Sequence, residues 1–201
     1  MNKKHLVAFD FDGTITSKDT LLEFIKFSKG KFKFLCGLLL FLPLLIAYKL
    51  KIYSNWKMKQ KVFSYYFKGM PLSEFNNLCQ DFADNNMNII RPKAIKQINE
   101  YIKQDFEITI VSASIENWVL PFANKLRINN VIGTQVETNK RNILTGNFST
   151  SNCYGKEKVN RLLKNYPDRE NYYLIAFGDS NGDSELLNFA DEKYYKELEK
   201  E

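Results

Sequence analysis

The stretch Leu6-Val7-Ala8-Phe9-Asp10-Phe11-Asp12-Gly13-Thr14-Ile15-Thr16 decides how the chain is read. Its first four residues form an apolar run of the length expected for a fully buried strand. Asp and Gly are poor strand residues, so the chain leaves the sheet at Asp10. Side chains two apart in extended chain point the same way, which lets Asp10 and Asp12 project into one pocket at the strand's carboxyl end. Open α/β sheets bind their ligands at that end. Two close carboxylates repel, and a buried charge needs a partner; a divalent cation is the simplest one. Gly13 and Thr14 can turn backbone N–H groups toward an anion.

The rest of the composition narrows the chemistry. With 201 residues and 44% hydrophobic residues, one domain with a modest insertion is expected, with a core of ordinary size. A net charge of +6 suits anionic partners without choosing among them, and no feature points to nucleic acid. Cys36, Cys79 and Cys153 are widely spaced and odd in number, which argues against a zinc site or a disulfide framework and for thiols in a reducing cytosol. The single histidine, His5, precedes the strand and is badly placed for a Ser-His-Asp triad. Carboxylates, hydroxyls and lysines must therefore carry any catalysis. The chain enters its first strand almost at once, with no apolar leader ahead of it.

Beyond Thr16 the pattern predicts a helix over 17–29, capped by Asp19-Thr20. Phe34 to Tyr48 is then apolar for 15 residues, about 22 Å as a helix at 1.5 Å per residue. Pro43 is expected to kink or divide it. Ten lysines and no acid lie between Phe24 and Ser73: 26, 29, 31, 33, 49, 51, 57, 59, 61 and 68. Three readings of this segment stay open: contact with an anionic membrane surface, the core of a helical bundle, or a homodimer interface. Helices are expected over 55–67 and 73–86, making 17–87 a helical insertion. Helix and strand then alternate: helix 92–103, strand 106–111, helix 116–126, strand 131–132, a hairpin within 137–148, helix 157–165, strand 172–177 and helix 182–190. That order indicates an α/β core with a parallel sheet.

Three later stretches sit at element ends. Ser112-Ala113-Ser114 follows a strand, where a hydroxyl, backbone N–H groups and the next helix's N-terminus can hold a phosphate oxygen. Cys153-Tyr154-Gly155-Lys156-Glu157-Lys158 puts two lysines at a helix start, where the helix dipole disfavours cations unless an anion is near. Gly178-Asp179-Ser180-Asn181-Gly182-Asp183 follows a strand; Asp179 beside Asp10 completes an oxygen-rich site suited to Mg²⁺.

Taken in order, D-F-D-G-T-I-T, S-A-S, C-x-G-x-x-K-x-x-x-L and G-D-S-x-G-D resemble motifs one to four of the haloacid dehalogenase (HAD) superfamily, in its phosphoserine phosphatase-like branch (subfamily IB). The resemblance covers 6–16 and 106–190. It implies a HAD-like Rossmannoid core, formed by 1–16 and 88–201, with a helical cap at 17–87 inserted after the first strand. It implies roles too. Asp10 is the nucleophile that forms an aspartyl-phosphate, its ordinary pKa of about 3.9 leaving it ionised without help. Asp12 is the general acid and base, with its backbone carbonyl toward the metal. Gly13, Thr14, Ser112 and Ala113 bind phosphate, and Lys158 neutralises phosphoryl charge, chosen over Lys156 for its spacing to Leu162. Mg²⁺ is held by Asp10, Asp12, Asp179 and Asp183.

In that branch phosphoserine is gripped by a Glu after motif one and a cap Arg. Here Asp19 stands at the Glu position, and residues 1–90 contain no arginine. The leucine-rich, lysine-flanked cap instead resembles that of phosphatidylglycerophosphatase C-like members. The resemblance implies a membrane-associated phosphatase of lipid phosphate on the cytoplasmic side. A soluble phosphatase such as a phosphoserine phosphatase, transfer to an acceptor other than water, and a non-catalytic binding module remain open alternatives.

Overall fold

The computed structural model describes residues 3–50 and 52–199; Met1, Asn2, Lys51, Lys200 and Glu201 lie outside them. One of the ten flanking lysines, Lys51, is therefore not described.

Strand β1 (Lys4–Phe9) is the middle of a five-stranded parallel sheet. Beside it run β2 (Glu107–Ile115) and β6 (Tyr172–Gly178), with β3 (Asn130–Thr134) and β7 (Glu192–Tyr195) at the edges, in the order β3-β2-β1-β6-β7. Val7, Ala8 and Phe9 are wholly buried, as a strand covered on both faces requires. Register fixes the site: Phe9 pairs with Ile110 on one side and Phe177 on the other. The residues just beyond these three positions, Asp10, Ser112 and Asp179, thus gather at one sheet end.

In the sheet, β2 and β7 differ from expectation. β2 continues through Ser112–Ser114 to Ile115, with a register shift against β3 between Val111 and Ile115. An irregular strand, not a helix start, thus presents the serines. β7 reads E-K-Y-Y and carries no apolar run, because an edge strand need not be buried on both faces.

Between β1 and β2, the described residues form four α-helices: α1 (Thr20–Lys49), α2 (Asn55–Phe67), α3 (Leu72–Asn85) and α4 (Pro92–Lys103). Asp19 caps α1, its side chain accepting from the Leu22 N–H at 3.1 Å. The break in α1 falls at Gly30, with φ 81° and ψ 158°, and not at Pro43, which stays inside the helix. Only glycine adopts that φ without strain, so the hinge sits where the Cβ is missing. The inner faces of these helices share an aromatic core. The Phe24 ring lies 5.3 Å from Phe67, 5.4 Å from Phe82 and 5.1 Å from Trp118. Trp118 belongs to α5 (Glu116–Lys125), so the insertion and the sheet layer share one apolar cluster.

The limb of α1 beyond Gly30 is different. Of its residues only Gly37 is buried, while Phe32, Leu35, Leu39 and Leu42 are exposed. This excludes the bundle-core reading of 34–48 for the chain as it stands. On length and composition, α1 is the one helix among the described residues that could cross a membrane.

The chain closes with a hairpin of β4 (Val136–Thr138) and β5 (Leu144–Phe148), then α6 (Lys156–Asn165) and α7 (Ser184–Phe189). The hairpin pairs with the α2–α3 connection: the Gly69 N–H donates to the Leu144 carbonyl and the Leu72 N–H to the Asn142 carbonyl. Asp191 ties the edge of the sheet, accepting from the Leu174 N–H and from the Arg169 guanidinium, both at 2.7 Å. Burial raises its pKa, but these donors outweigh burial and hold it below the usual carboxylate value. A depressed acid contributes stability above its unfolded pKa, about 3.9, and loses it as pH falls through the folded value. Asp191→Ala is expected to cost about 1–3 kcal/mol at pH 7 in urea unfolding, discounted for its partial exposure, with the difference shrinking as pH falls through its folded pKa.

Candidate active site

Asp10 follows β1 and is 6% exposed. Its N–H donates to the Phe177 carbonyl at 2.9 Å, which pins it to β6. One carboxylate oxygen accepts from the Lys158 ammonium at 2.6 Å. Burial pushes its pKa up to about 7, against the pull of Lys158. This corrects the expectation of an unaided, ionised Asp10: its charge depends on the cation beside it.

Lys158 lies in the first turn of α6 and is wholly enclosed, while Lys156 is exposed. Its ammonium also donates to Asp183 at 2.5 Å. Burial opposes its charge, yet the two carboxylates hold its pKa above the ordinary lysine value. Asp183 is spanned by donors. One oxygen takes Lys158; the other accepts from the Asp179 N–H at 3.2 Å and the Ser180 N–H and hydroxyl at 3.0 and 2.8 Å. Burial raises its pKa, and these donors bring it below the usual value. It clamps the turn after β6 and fixes Lys158.

Asp179 is half-buried, with one oxygen accepting from the Thr14 hydroxyl at 3.2 Å. Burial, then Asp183, raises its pKa. Carboxylate oxygens of Asp10, Asp179 and Asp183 lie within 4.8 Å of one another. The donor set is all oxygen and carries more negative charge than Lys158 alone offsets, which fits a hard divalent cation. Among the described residues, hydrogen-bond donors reach one oxygen of Asp10 and one of Asp179, whereas both oxygens of Asp183 are taken.

Asp12 stands apart from that cluster. Its carboxylate accepts from the Thr20 N–H at 2.9 Å, the Thr20 hydroxyl at 2.6 Å and the Ser114 hydroxyl. Trp118 donates its indole N–H to the same Thr20 hydroxyl at 3.1 Å. Burial, then Asp19, raises the pKa of Asp12, which favours its protonated form. So the two carboxylates of the D-x-D pair are separated by environment: one against a lysine, one among hydroxyls.

Gly13 turns the chain with φ 83°, and a Cβ there would lie 2.3 Å from an Asp179 carboxylate oxygen. Gly13→Ala is expected to cost about 1–3 kcal/mol in urea unfolding, and to lower turnover by displacing Asp179. A wild-type midpoint would contradict that reading. Ser112 is buried, its hydroxyl accepting from the Ser114 N–H at 3.1 Å, which leaves its own proton to donate. The Ala113 carbonyl accepts from Thr134 and from Lys59, both at 2.9 Å.

Lys59 was not singled out from sequence. It projects from α2 toward the site, where burial lowers its pKa and Asp12, Asp19 and Asp10 oppose that shift. Its signal was present: Lys59 lies four and eight residues before Phe63 and Phe67, both wholly buried, so it shares their inward helix face. Sequence alone marks Thr20 and Ser114, which hold Asp12, only as a cap and as part of a serine turn.

The family model of haloacid dehalogenase-like hydrolases matches residues 7–188. Protein CicA of Caulobacter vibrioides (strain NA1000 / CB15N) is 35% identical over 193 residues, covering 95% of this chain and 85% of that protein. A crystal structure of a protein of unknown function from Bordetella pertussis Tohama I superposes with a TM-score of 0.80 at 13% identity, over 96% of this chain and 89% of that one. A phosphoserine phosphatase solved as a phospho-aspartyl intermediate analogue gives 0.64 at 18% identity, over 96% and 86%. The two structures speak for the fold alone. By the family match and by CicA, the chain belongs to the haloacid dehalogenase-like hydrolases.

Proposed function

We propose that this hydrolase is a Mg²⁺-dependent phosphomonoesterase that works through an aspartyl-phosphate on Asp10 and acts on a membrane lipid phosphate. The observation that carries the chemistry is the enclosed Asp10–Lys158 pair at 2.6 Å, with Asp12 held among hydroxyls beside it. Asp10 attacks phosphorus, the ester P–O bond breaks, and Asp12 donates its proton to the leaving oxygen. Asp12, now ionised, takes a proton from water as that water attacks the acyl phosphate; inorganic phosphate leaves and Asp10 is restored. Lys158 stabilises charge on the phosphoryl oxygens, and Ser112, Ala113, Gly13 and Thr14 line the phosphate. Asp10 and Asp179 are the carboxylate ligands, Asp12 contributes its backbone carbonyl, and Asp183 acts by holding the turn and Lys158. Bound Mg²⁺ offsets the carboxylate charge and favours ionised Asp10. The core comprises 1–16 and 88–201, and 17–87 is the cap.

The lipid reading rests on the exposed limb of α1, which puts Phe32 and several leucines on the surface beside flanking lysines. Such a limb lies in a membrane surface as an interfacial helix, on the anionic cytoplasmic face. Phosphate release should be measured with Mg²⁺ from phosphatidylglycerophosphate, phosphoserine, and sugar and nucleotide phosphates. Preference for the lipid supports the reading; preference for phosphoserine keeps the chemistry and removes the lipid. No release from any would favour a binding module.

The protein is further expected to sediment with anionic vesicles at low salt, each surface lysine contributing about 1 kcal/mol, and to release as salt shortens the Debye length to roughly 3 Å near 1 M. Protein left in the supernatant at low salt would contradict membrane contact.

A further inference from the structure

An apolar groove runs between the two limbs of α1 and the face of α2. Leu21 and Ile25 line it from the first limb, Leu38, Phe41 and Leu45 from the second, and Val62 from α2. Lys59 is its polar lining residue nearest the site, and the Lys59 ammonium donates to the Ala113 carbonyl at 2.9 Å. On the other side Leu21 follows Thr20, whose hydroxyl holds Asp12 at 2.6 Å. Lys59 thus lies between the groove and the phosphate site, and apart from Gly37, Met58 and Tyr66 the rest of the lining is leucine, isoleucine, valine and phenylalanine. A ligand that fits is anionic at one end and aliphatic beyond it.

We propose that this groove is the acyl-chain subsite of the active site, receiving the first methylenes of a monoester whose phosphate lies against Asp10. The proposal rests on the phosphomonoesterase reading and deepens it by naming where the apolar part of the substrate goes. The groove is partly open to solvent, with a cavity volume of about 70 Å³. One water needs roughly 10–15 Å³ of such volume, so the groove has room for about five to seven waters, a short aliphatic segment and not a whole chain. The remainder of the chain stays in the bilayer on which the exposed limb rests, so the lipid is hydrolysed without being extracted.

The test uses soluble substrates below their micelle concentrations, so that vesicle binding plays no part. Turnover of glycerol phosphate is compared with that of monoacyl glycerol phosphates of increasing chain length. kcat/KM is expected to rise about threefold to fourfold per methylene over the first several, then to level off. In Leu38→Trp, which fills the groove from a half-exposed position, the ratio of longer-chain to glycerol phosphate turnover is expected to fall toward one. Leu45→Asn, on the same limb, should flatten the series independently if Leu38→Trp fails to fold. A flat series in the wild-type protein, with all members hydrolysed, overturns the groove and leaves the phosphomonoesterase standing. An undiminished chain-length ratio in both folded variants also overturns the groove. No release from any member overturns both, since a groove beside an inert site is no substrate subsite.

Discussion

Asp10→Asn is expected to lower turnover by about four to six orders of magnitude while leaving the fold in place. The amide cannot form the acyl phosphate, and the neighbouring carboxylates are held elsewhere: Asp12 by Thr20 and Ser114, Asp179 by Thr14, and Asp183 by Lys158 and Ser180. The fold survives because Lys158 keeps Asp183 at 2.5 Å. Two carboxylates against one ammonium become one against one, so the buried group moves toward neutrality. The unfolding midpoint at pH 8 without Mg²⁺ should stay within about 1 kcal/mol of wild type. Substantial phosphatase activity in this variant would remove Asp10 as nucleophile; an unfolded variant would show that Asp10 is needed for the core.

Lys158→Met is expected to damage both stability and chemistry. The side chain is 2% exposed and lies between Asp10 and Asp183, themselves 8% and 1% exposed. Removing the cation leaves two buried carboxylates facing each other, a loss of about 3–5 kcal/mol at neutral pH. Turnover should fall by about a thousandfold or more, because phosphoryl charge loses its enclosed counter-charge. Two controls separate this from a cavity effect. Mg²⁺ should recover part of the stability by neutralising the same carboxylates, and adding Asp183→Asn should recover part of it without metal, as groups in one network are not additive. Wild-type stability of Lys158→Met in a chelator would contradict the account.

The core of the site was legible because its groups follow strands. An apolar run that stops at Asp10 marks a sheet end, and β6 stopping at Gly178 marks another, so topology alone brings Asp10 and Asp179 together. Lys158 was distinguishable from Lys156 only by its spacing to Leu162, which proves to be the buried side of α6. What stayed hidden depends on contacts far apart in the chain. Ser114 reaches Asp12 across 102 positions, and Lys59 reaches Ala113 across 54. One lysine among ten looks like one more solvated charge until the inward helix face is drawn. The break at Gly30 falls where the first helix is expected to end, at 29, because its backbone needs a glycine φ, whereas the kink expected at Pro43 does not form: the helix tolerates the one hydrogen bond that proline's missing N–H costs. The exposure of the second α1 limb could not be read from its composition, since an all-apolar helix suits a core, an interface or a lipid surface alike.

The most direct measurement is chemical trapping of the intermediate. The protein is mixed briefly with Mg²⁺ and a phosphomonoester it turns over, quenched in acid, treated with borohydride, which reduces acyl phosphates to alcohols, and mapped by peptide mass. The account predicts reduction at Asp10 alone, dependent on substrate and absent in Asp10→Asn. Reduction at another carboxylate, or steady phosphate release with Asp10 never modified, would contradict it.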